Sequence, residues 1–518
     1  MRAGLMFGRG RLPAPSGWFL GAALVPVALV VLPLIYVVIR ASQAGVAGIA
    51  NELLRERNAT LLVNTVTLAI SVTVGACMIG TATAWCVERS DLPGRRWWRA
   101  LAALPLAVPA FVSSYAWSSI DVMFQSMPGA ILILTLSAYP LVYLPVAAAL
   151  RSVDSSFEDV SRSLGDGAWR TFARALLPQI RPALGGGALL VLGHMLAEFG
   201  ALAMLRVQTF TTAIFESYEL QFDSASAALQ SGVLMALCLP AAYAEMRFRA
   251  GRRVARVGRG SARTAIPVAL GAVTPFALAG FGLLALIALG VPLATLVYWL
   301  AQGSSMGDGH VNIWPAIQGS LVLSLSGAVL TSALALPLVL LAVRHRGRLS
   351  VLADRLPYII HGLPGVVVAL ALVYMAIRLA PAFYQSSALL LLAYAILFLP
   401  LAQSSLRASV ELVSPQIELV ARSLGRRPLQ AFLSVTLPNI APGLGAAMAL
   451  MMLEIVRELT ATLMLAPTGV ITLATEVWSY TSDAEYAAAA PFAALLVVLS
   501  ILPVYVFTRR LLRYGESQ

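Results

Sequence analysis

Apolar residues in this chain come in long continuous runs, separated by short polar stretches, and the runs recur from one end to the other. A helix needs roughly 20 apolar residues to cross a hydrocarbon core of about 30 Å. Backbone groups in lipid must pair within their own segment, and a barrel strand would alternate rather than run, so the pattern predicts transmembrane helices. We expect them at about 17–39, 60–86, 99–122, 129–150, 183–205, 228–247, 265–300, 314–343, 356–379, 387–405, 442–465 and 487–508. The fold class expected is all-α and polytopic, with about twelve spans. The first run, Trp18 to Val38, is too long for a signal-peptide core and reads as a retained span.

The polar stretches fix an orientation. All 36 basic residues are arginine, and with the N-terminus inside, 30 of them fall on one side. The other side holds only Arg40, Arg55, Arg57, Arg206 and Arg378, with Arg457 inside a span. This is the asymmetry of the positive-inside rule, and shifting the helix count by one would scramble it. Both termini are therefore expected in the cytoplasm. The composition agrees: 59% of residues are hydrophobic and 12% charged, more apolar surface than a soluble fold of 518 residues hides. The net charge of +12 is explained by topology and not by nucleic acid, since no aromatic interleaving accompanies the arginines. Cys77, Cys86 and Cys238 sit in or beside apolar runs and imply no disulfide framework.

Sliding the chain on itself by 260 residues superposes Glu158–Pro182 on Glu418–Pro442, with identities at Glu158/Glu418, the Ser-Leu-Gly ending at Gly165/Gly425, Phe172/Phe432, Pro178/Pro438 and Pro182/Pro442. The same offset pairs Glu198/Glu458, Met204/Met464, Thr212/Thr472, Glu216/Glu476 and Asp223/Asp483. Both copies follow the fourth span of a half, so the halves are parallel repeats. The expected organisation is a cytoplasmic tail 1–16, a first half 17–248 with a loop 151–182, and a basic linker 249–264. A second half 265–508 with a loop 406–441 and a tail 509–518 complete it. In each loop a glycine is expected to turn the chain between two short helices, the second ending before Leu-Pro. Phe172, Leu176 and Leu177, and Phe432, Val435, Thr436 and Leu437, are expected to form the apolar side of that second helix, as a groove-binding element.

The spacing Glu, seven residues to Gly, thirteen to Pro, with Phe between, resembles the loop of permeases of binding-protein-dependent ABC importers. The opening Glu158-Asp159-Val160 and Glu418-Leu419-Val420 departs from the usual Glu-Ala-Ala. The resemblance implies a type I importer fold in the bacterial inner membrane. It also implies coupling helices carrying Glu158, Gly165, Phe172 and Pro178, and Glu418, Gly425, Phe432 and Pro438. The partners it implies are two copies of an ABC ATPase subunit and an extracytoplasmic binding protein, with ATP and Mg held by the ATPases and no cofactor on this chain.

The chain contains no lysine, which a phosphate-binding P-loop requires, so it is not expected to be an ATPase. Its histidines (His194, His310, His345, His361) are scattered, and no metal site is established. Ionisable groups inside spans are costly and suspect. His194 and Glu198, and Glu454 and Glu458 beside Arg457, are candidates for a pathway or an outer gate; mutual neutralisation or capping is the structural alternative. Thr209, Thr211, Thr212 and Glu216, with Thr472 and Glu476, lie in following loops that read as re-entrant gate helices, docking surfaces or plain packing. The phrases AEFGALAMLRVQTFTTAIFESY and RELTATLMLAPTGVITLATEVWS, in fused halves, are most similar to the ferric-iron branch of these permeases. Thiamine, polyamine, phosphonate, sulfate and molybdate carriers are neighbouring branches, and a twelve-helix secondary transporter is the alternative of another class.

Overall fold

The computed structural model describes residues 17–153, 156–250, 267–305, 312–345, 347–360 and 362–513. The tail 1–16, the linker from 251 to 264, His310, His361 and residues 514–518 lie outside these. Among the described residues the chain is helical throughout, with no strand and one isolated bridge, Ser90 to Val268. Nine described helices are long and apolar enough to cross a membrane. They fall on the expected spans one, two, four to eight, ten and eleven.

The other three expected spans differ from a straight crossing. The third is a bent pair, Arg95–Ala107 and Ala110–Ser118, at 86°. Pro105 and Pro109 cause the break, because each lacks an N–H and disfavours helix in the residue before it. The ninth separates into Arg348–Ile360 and Gly365–Leu379, with Gly362 and Pro364 between them. The twelfth is the apolar stretch Tyr486–Ile501 within a longer helix.

The chain forms two compact units. The larger takes the described residues within 37–319, 362–367 and 470–518. In it, helix Glu56–Arg89 lies against Met127–Ser152 so closely that a Cβ on Gly80 would stand 2.9 Å from the backbone of Tyr139 and Tyr143. Small residues that let backbones approach are how helices associate where lipid offers no hydrophobic drive. The smaller unit takes the described residues within 1–36, 320–361 and 368–469, so residues 17–36 of the first span pack with elements of the second repeat. Tyr394 is buried in it, and its hydroxyl lies 2.8 Å from Thr462 Oγ1.

Candidate functional site

The two repeated loops share one local design. A short helix, Ser156–Ser163 or Pro415–Ser423, ends at a glycine in the left-handed region: φ is +86° at Gly165 and +91° at Gly425. The N–H of Gly165 donates to the Arg162 carbonyl and that of Asp166 to the Ser161 carbonyl; Gly425 and Arg426 repeat this toward Arg422 and Ala421. This is a Schellman end, in which a residue other than glycine would carry a Cβ penalty.

After the turn, the structure corrects the expectation of a separate helix ending before Leu-Pro. Trp169–Ala197 and Pro428–Val456 are each one continuous helix of 29 residues, running from the loop through the fifth and eleventh spans. Phe172–Leu176 and Phe432–Thr436 are π turns, with the N–H of Leu177 donating to Phe172 and that of Leu437 to Phe432, five residues back. Pro178 and Pro438, which follow, have no N–H, and the widened turn absorbs the bond each would leave missing.

The first residue of each loop motif is pinned from inside. Glu158 is buried, with Oε1 3.1 Å from Arg89 Nη1 and Oε2 3.4 Å from Arg162 Nη2. Arg89 is the last residue of helix Glu56–Arg89, and its Nη2 also donates to the carbonyls of Leu150 (2.7 Å) and Val153 (3.1 Å) where the fourth span ends. In the second repeat Glu418 pairs with Arg344, the last residue of helix Trp314–Arg344, and accepts from Thr436 Oγ1 at 2.9 Å. Each loop helix is thus tied by a carboxylate to the end of the second span of its own half.

The apolar side faces differently from the expectation. Leu176 and Thr436 are buried, while Phe172, Leu177, Phe432, Val435 and Leu437 are half-buried. Exposed in both copies are instead Val160, Leu164 (79% exposed) and Trp169 (78%), with Val420, Leu424 (80%) and Leu429; the second copy also exposes Ile417 and Leu433. These three positions correspond one to one at offset 260.

At the far end of each long helix the backbone breaks at the paired glutamates. Glu198 Oε1 accepts the Ala201 N–H at 3.0 Å; Glu458 accepts those of Ala461 (3.0 Å) and Thr462 (3.1 Å). Each therefore caps a short helix, Gly200–Met204 or Thr460–Leu465, where a carboxylate meets unpaired N–H groups and the positive helix end. His194 Nε2 lies 3.7 Å from Glu198 Oε2, and Glu454 pairs with Arg457 at 2.7 Å.

Beyond this point the register shifts. The next helices begin at Phe210 and Leu473, each opened by a threonine capping box, Thr209 with Thr212 and Thr472 with Thr475. The second copy holds three more residues before its cap, around Pro467 and Gly469 (φ +86°), so the structural offset becomes 263. The expected pairings Thr212/Thr472 and Glu216/Glu476 therefore do not hold in space; Thr209 matches Thr472. Thr211 Oγ1 donates to the Glu198 carbonyl at 2.6 Å, tying the first of these helices to the end of the long helix. Glu216 pairs with Arg57 at 2.9 Å and accepts from Gln208 Nε2 at 2.8 Å. Glu476 has no such partner among the described residues, and burial pushes its carboxyl above the usual range. At the corrected register Phe215 and Trp478 are counterparts, each sixth in its helix. Their rings meet at 6.2 Å, both resting on Phe199 at 4.8 and 5.5 Å.

Sequence reasoning missed Arg89, Arg344, Trp169, Phe215 and Trp478. The arginines were legible as a repeated feature, since each closes the second span of its half, but topology accounted for them already. The aromatic pair was hidden by the three-residue shift.

A helical membrane bundle with two like halves, each sending a capped loop into a continuous span, defines a transport permease. Residues 76–244 and 338–515 match the family described as binding-protein-dependent transport system inner membrane component, and the chain belongs to that family. It is 44% identical to the Fe(3+)-transport system permease protein FbpB 2 of Haemophilus influenzae over 482 residues, 92% of this chain and 95% of that protein. It is 27% identical to the sulfate transport system permease protein CysW of Escherichia coli, over 36% of this chain and 70% of that one. With the molybdenum transport system permease protein ModB of Escherichia coli it shares 31% over 24% of this chain and 60% of that one.

Proposed function

We propose that this chain is the permease of an ATP-driven ferric-iron importer, with both loops and both termini in the cytoplasm. Two ATPase subunits grip the loops and an extracytoplasmic binding protein delivers the cargo. The observation that carries the reading is a pair of like loops, each presenting the same three exposed apolar positions and each continuous with a long helix, in a chain 44% identical across 92% of its length to a Fe(3+) permease.

The geometry supports a lever in each half. Closure of the ATPases displaces the exposed positions Leu164/Trp169 and Leu424/Leu429. The buried ion pairs at Arg89 and Arg344 keep each loop helix moving with the end of the second span. The 29-residue helices carry the displacement about 43 Å at 1.5 Å per residue. At their far ends the caps at Glu198 and Glu458 pass it on, in the first half directly to the helix bearing Phe215 through Thr211. The Phe215–Trp478 contact is the closed outer gate, and parting it opens the route. Glu198 and Glu458 act in this reading as caps of the gate elements. Ferric iron is a hard cation that favours oxygen ligands, which acidic groups such as Glu476 beside the gate supply.

The test is uptake of labelled ferric iron against sulfate in a strain deleted for this gene and complemented with it. Iron uptake that falls with deletion and returns with the gene supports the assignment; iron uptake indifferent to deletion removes it.

A further inference from the structure

We infer that the second loop binds its ATPase subunit through carboxylates of that subunit, taken by Arg426 and Arg427, while the first loop closes its own charges and docks by apolar contact. The two docks of one chain then differ in kind. The inference rests on the ATPase partners proposed above and names the chemistry of the surface that meets the second loop.

The first loop braces itself around Asp166, the residue after its glycine. Ser161 Oγ donates to Asp166 Oδ2 at 2.9 Å, and Arg174 Nη1 lies 3.2 Å from Oδ1. Thr171 Oγ1 donates to the Asp166 carbonyl at 3.4 Å. Arg162 is turned to Glu158, and the remaining exposed charges, Asp159 and Arg170, are opposite in sign. The segment 156–178 thus holds three acidic and three basic residues and has no net charge to offer. What it presents is the large indole of Trp169, where the second copy has the smaller Leu429.

At offset 260 every member of that brace is replaced: Ala421 for Ser161, Arg426 for Asp166, Ala431 for Thr171 and Ser434 for Arg174. The backbone turn is kept, with Gly425 at φ +91° and the Arg426 N–H on the Ala421 carbonyl, so the change is in the chemistry at the tip. Arg426 and Arg427 are exposed and have no ion-pair partner among the described residues. They lie between the exposed Leu424 and Leu429, within the patch assigned to the ATPase. Glu418, the acidic residue of 416–438, is taken up by Arg344 and Thr436. Topology accounts for an arginine in either loop. It does not account for four linked replacements that remove a carboxylate together with its partners at one tip and leave two planar guanidiniums, suited to paired bonds with carboxylates, in their place.

The experiment uses the full chain in detergent with its ATPase. Leu424→Asp with Leu429→Asp leaves only the first dock, and Leu164→Asp with Trp169→Asp only the second. Raising salt from about 0.05 M to about 0.5 M shortens the screening length from roughly 14 Å to roughly 4 Å. The dissociation constant of the second dock should rise about ten-fold, as for two exposed charge pairs, and that of the first by less than about two-fold. Arg426→Gln with Arg427→Gln should weaken the second dock about ten-fold at low salt and remove its salt dependence. The chain has no lysine, so Arg426→Lys with Arg427→Lys places side-chain amines at this tip alone. A carbodiimide should join them to an ATPase carboxylate, read as a linked peptide by mass spectrometry. Equal salt responses of the two docks, an unweakened glutamine variant, or capture without that linked peptide overturns the inference. Failure of the unaltered chain to capture any ATPase overturns the underlying reading as well, a result distinct from two subunits held with equal salt responses.

Discussion

Arg89 and Glu158 show what a buried charge does in this molecule. Each side chain is 4% exposed, so neither has water to fall back on. Removing Arg89 leaves Glu158 buried with only the Arg162 guanidinium 3.4 Å away, and Arg89→Gln is expected to cost about 3 kcal/mol, the low end for breaking a buried pair. Arg89→Met with Glu158→Leu should recover part of that loss, since the carbonyls of Leu150 and Val153 still lose their donor, and thermal unfolding of the single and double variants in detergent measures the difference. Additive losses would mean the two residues are not coupled. Glu198 carries the opposite expectation. An amide oxygen still accepts the Ala201 N–H, so Glu198→Gln should keep iron uptake near the wild-type rate, whereas Glu458 accepts on both oxygens, from Ala461 and Thr462, and its amide would lose one of those bonds. Uptake abolished by Glu198→Gln would place this carboxylate on the route itself. At this scale the sequence marked Glu158, Gly165 and their copies by repetition and by family resemblance, and Glu198 and Glu458 by repetition and by their charge inside a span. The partners of Glu158 and Glu418 were beyond its reach, because an arginine ending a span looks the same whether it meets lipid headgroups or a buried carboxylate.

The long helices are the elements on which the mechanism depends. Their spans were legible from apolar runs, but their starts were not: a Leu-Pro pair reads as a break, and only the five-residue bond from Leu177 to Phe172 shows how the helix passes it. Inserting Gly-Gly between Leu177 and Pro178 should disconnect the lever, leaving ATPase capture intact while uptake falls to background; preserved uptake would mean the displacement travels elsewhere. Gly165→Val, at φ +86°, should strain the loop by about 1–2 kcal/mol and weaken capture, with Gly165→Asn milder because asparagine tolerates the left-handed region. Pull-down of the ATPase with each variant measures this. The short helices that follow were mispaired by the sequence, since a constant offset cannot register the extra turn residues around Gly469.

For the molecule as a whole, the repeat, the arginine partition and the apolar runs were sufficient for class and family, while the broken third and ninth spans lay behind prolines in otherwise continuous runs. The account predicts two ATPase subunits per chain, one on each loop. Capture should be measured by native mass spectrometry of the complex for the wild type, for Leu164→Asp with Trp169→Asp, for Leu424→Asp with Leu429→Asp, and for all four together. The predicted result is two subunits, then one, one and none. Two subunits retained with all four substitutions in place would contradict the account.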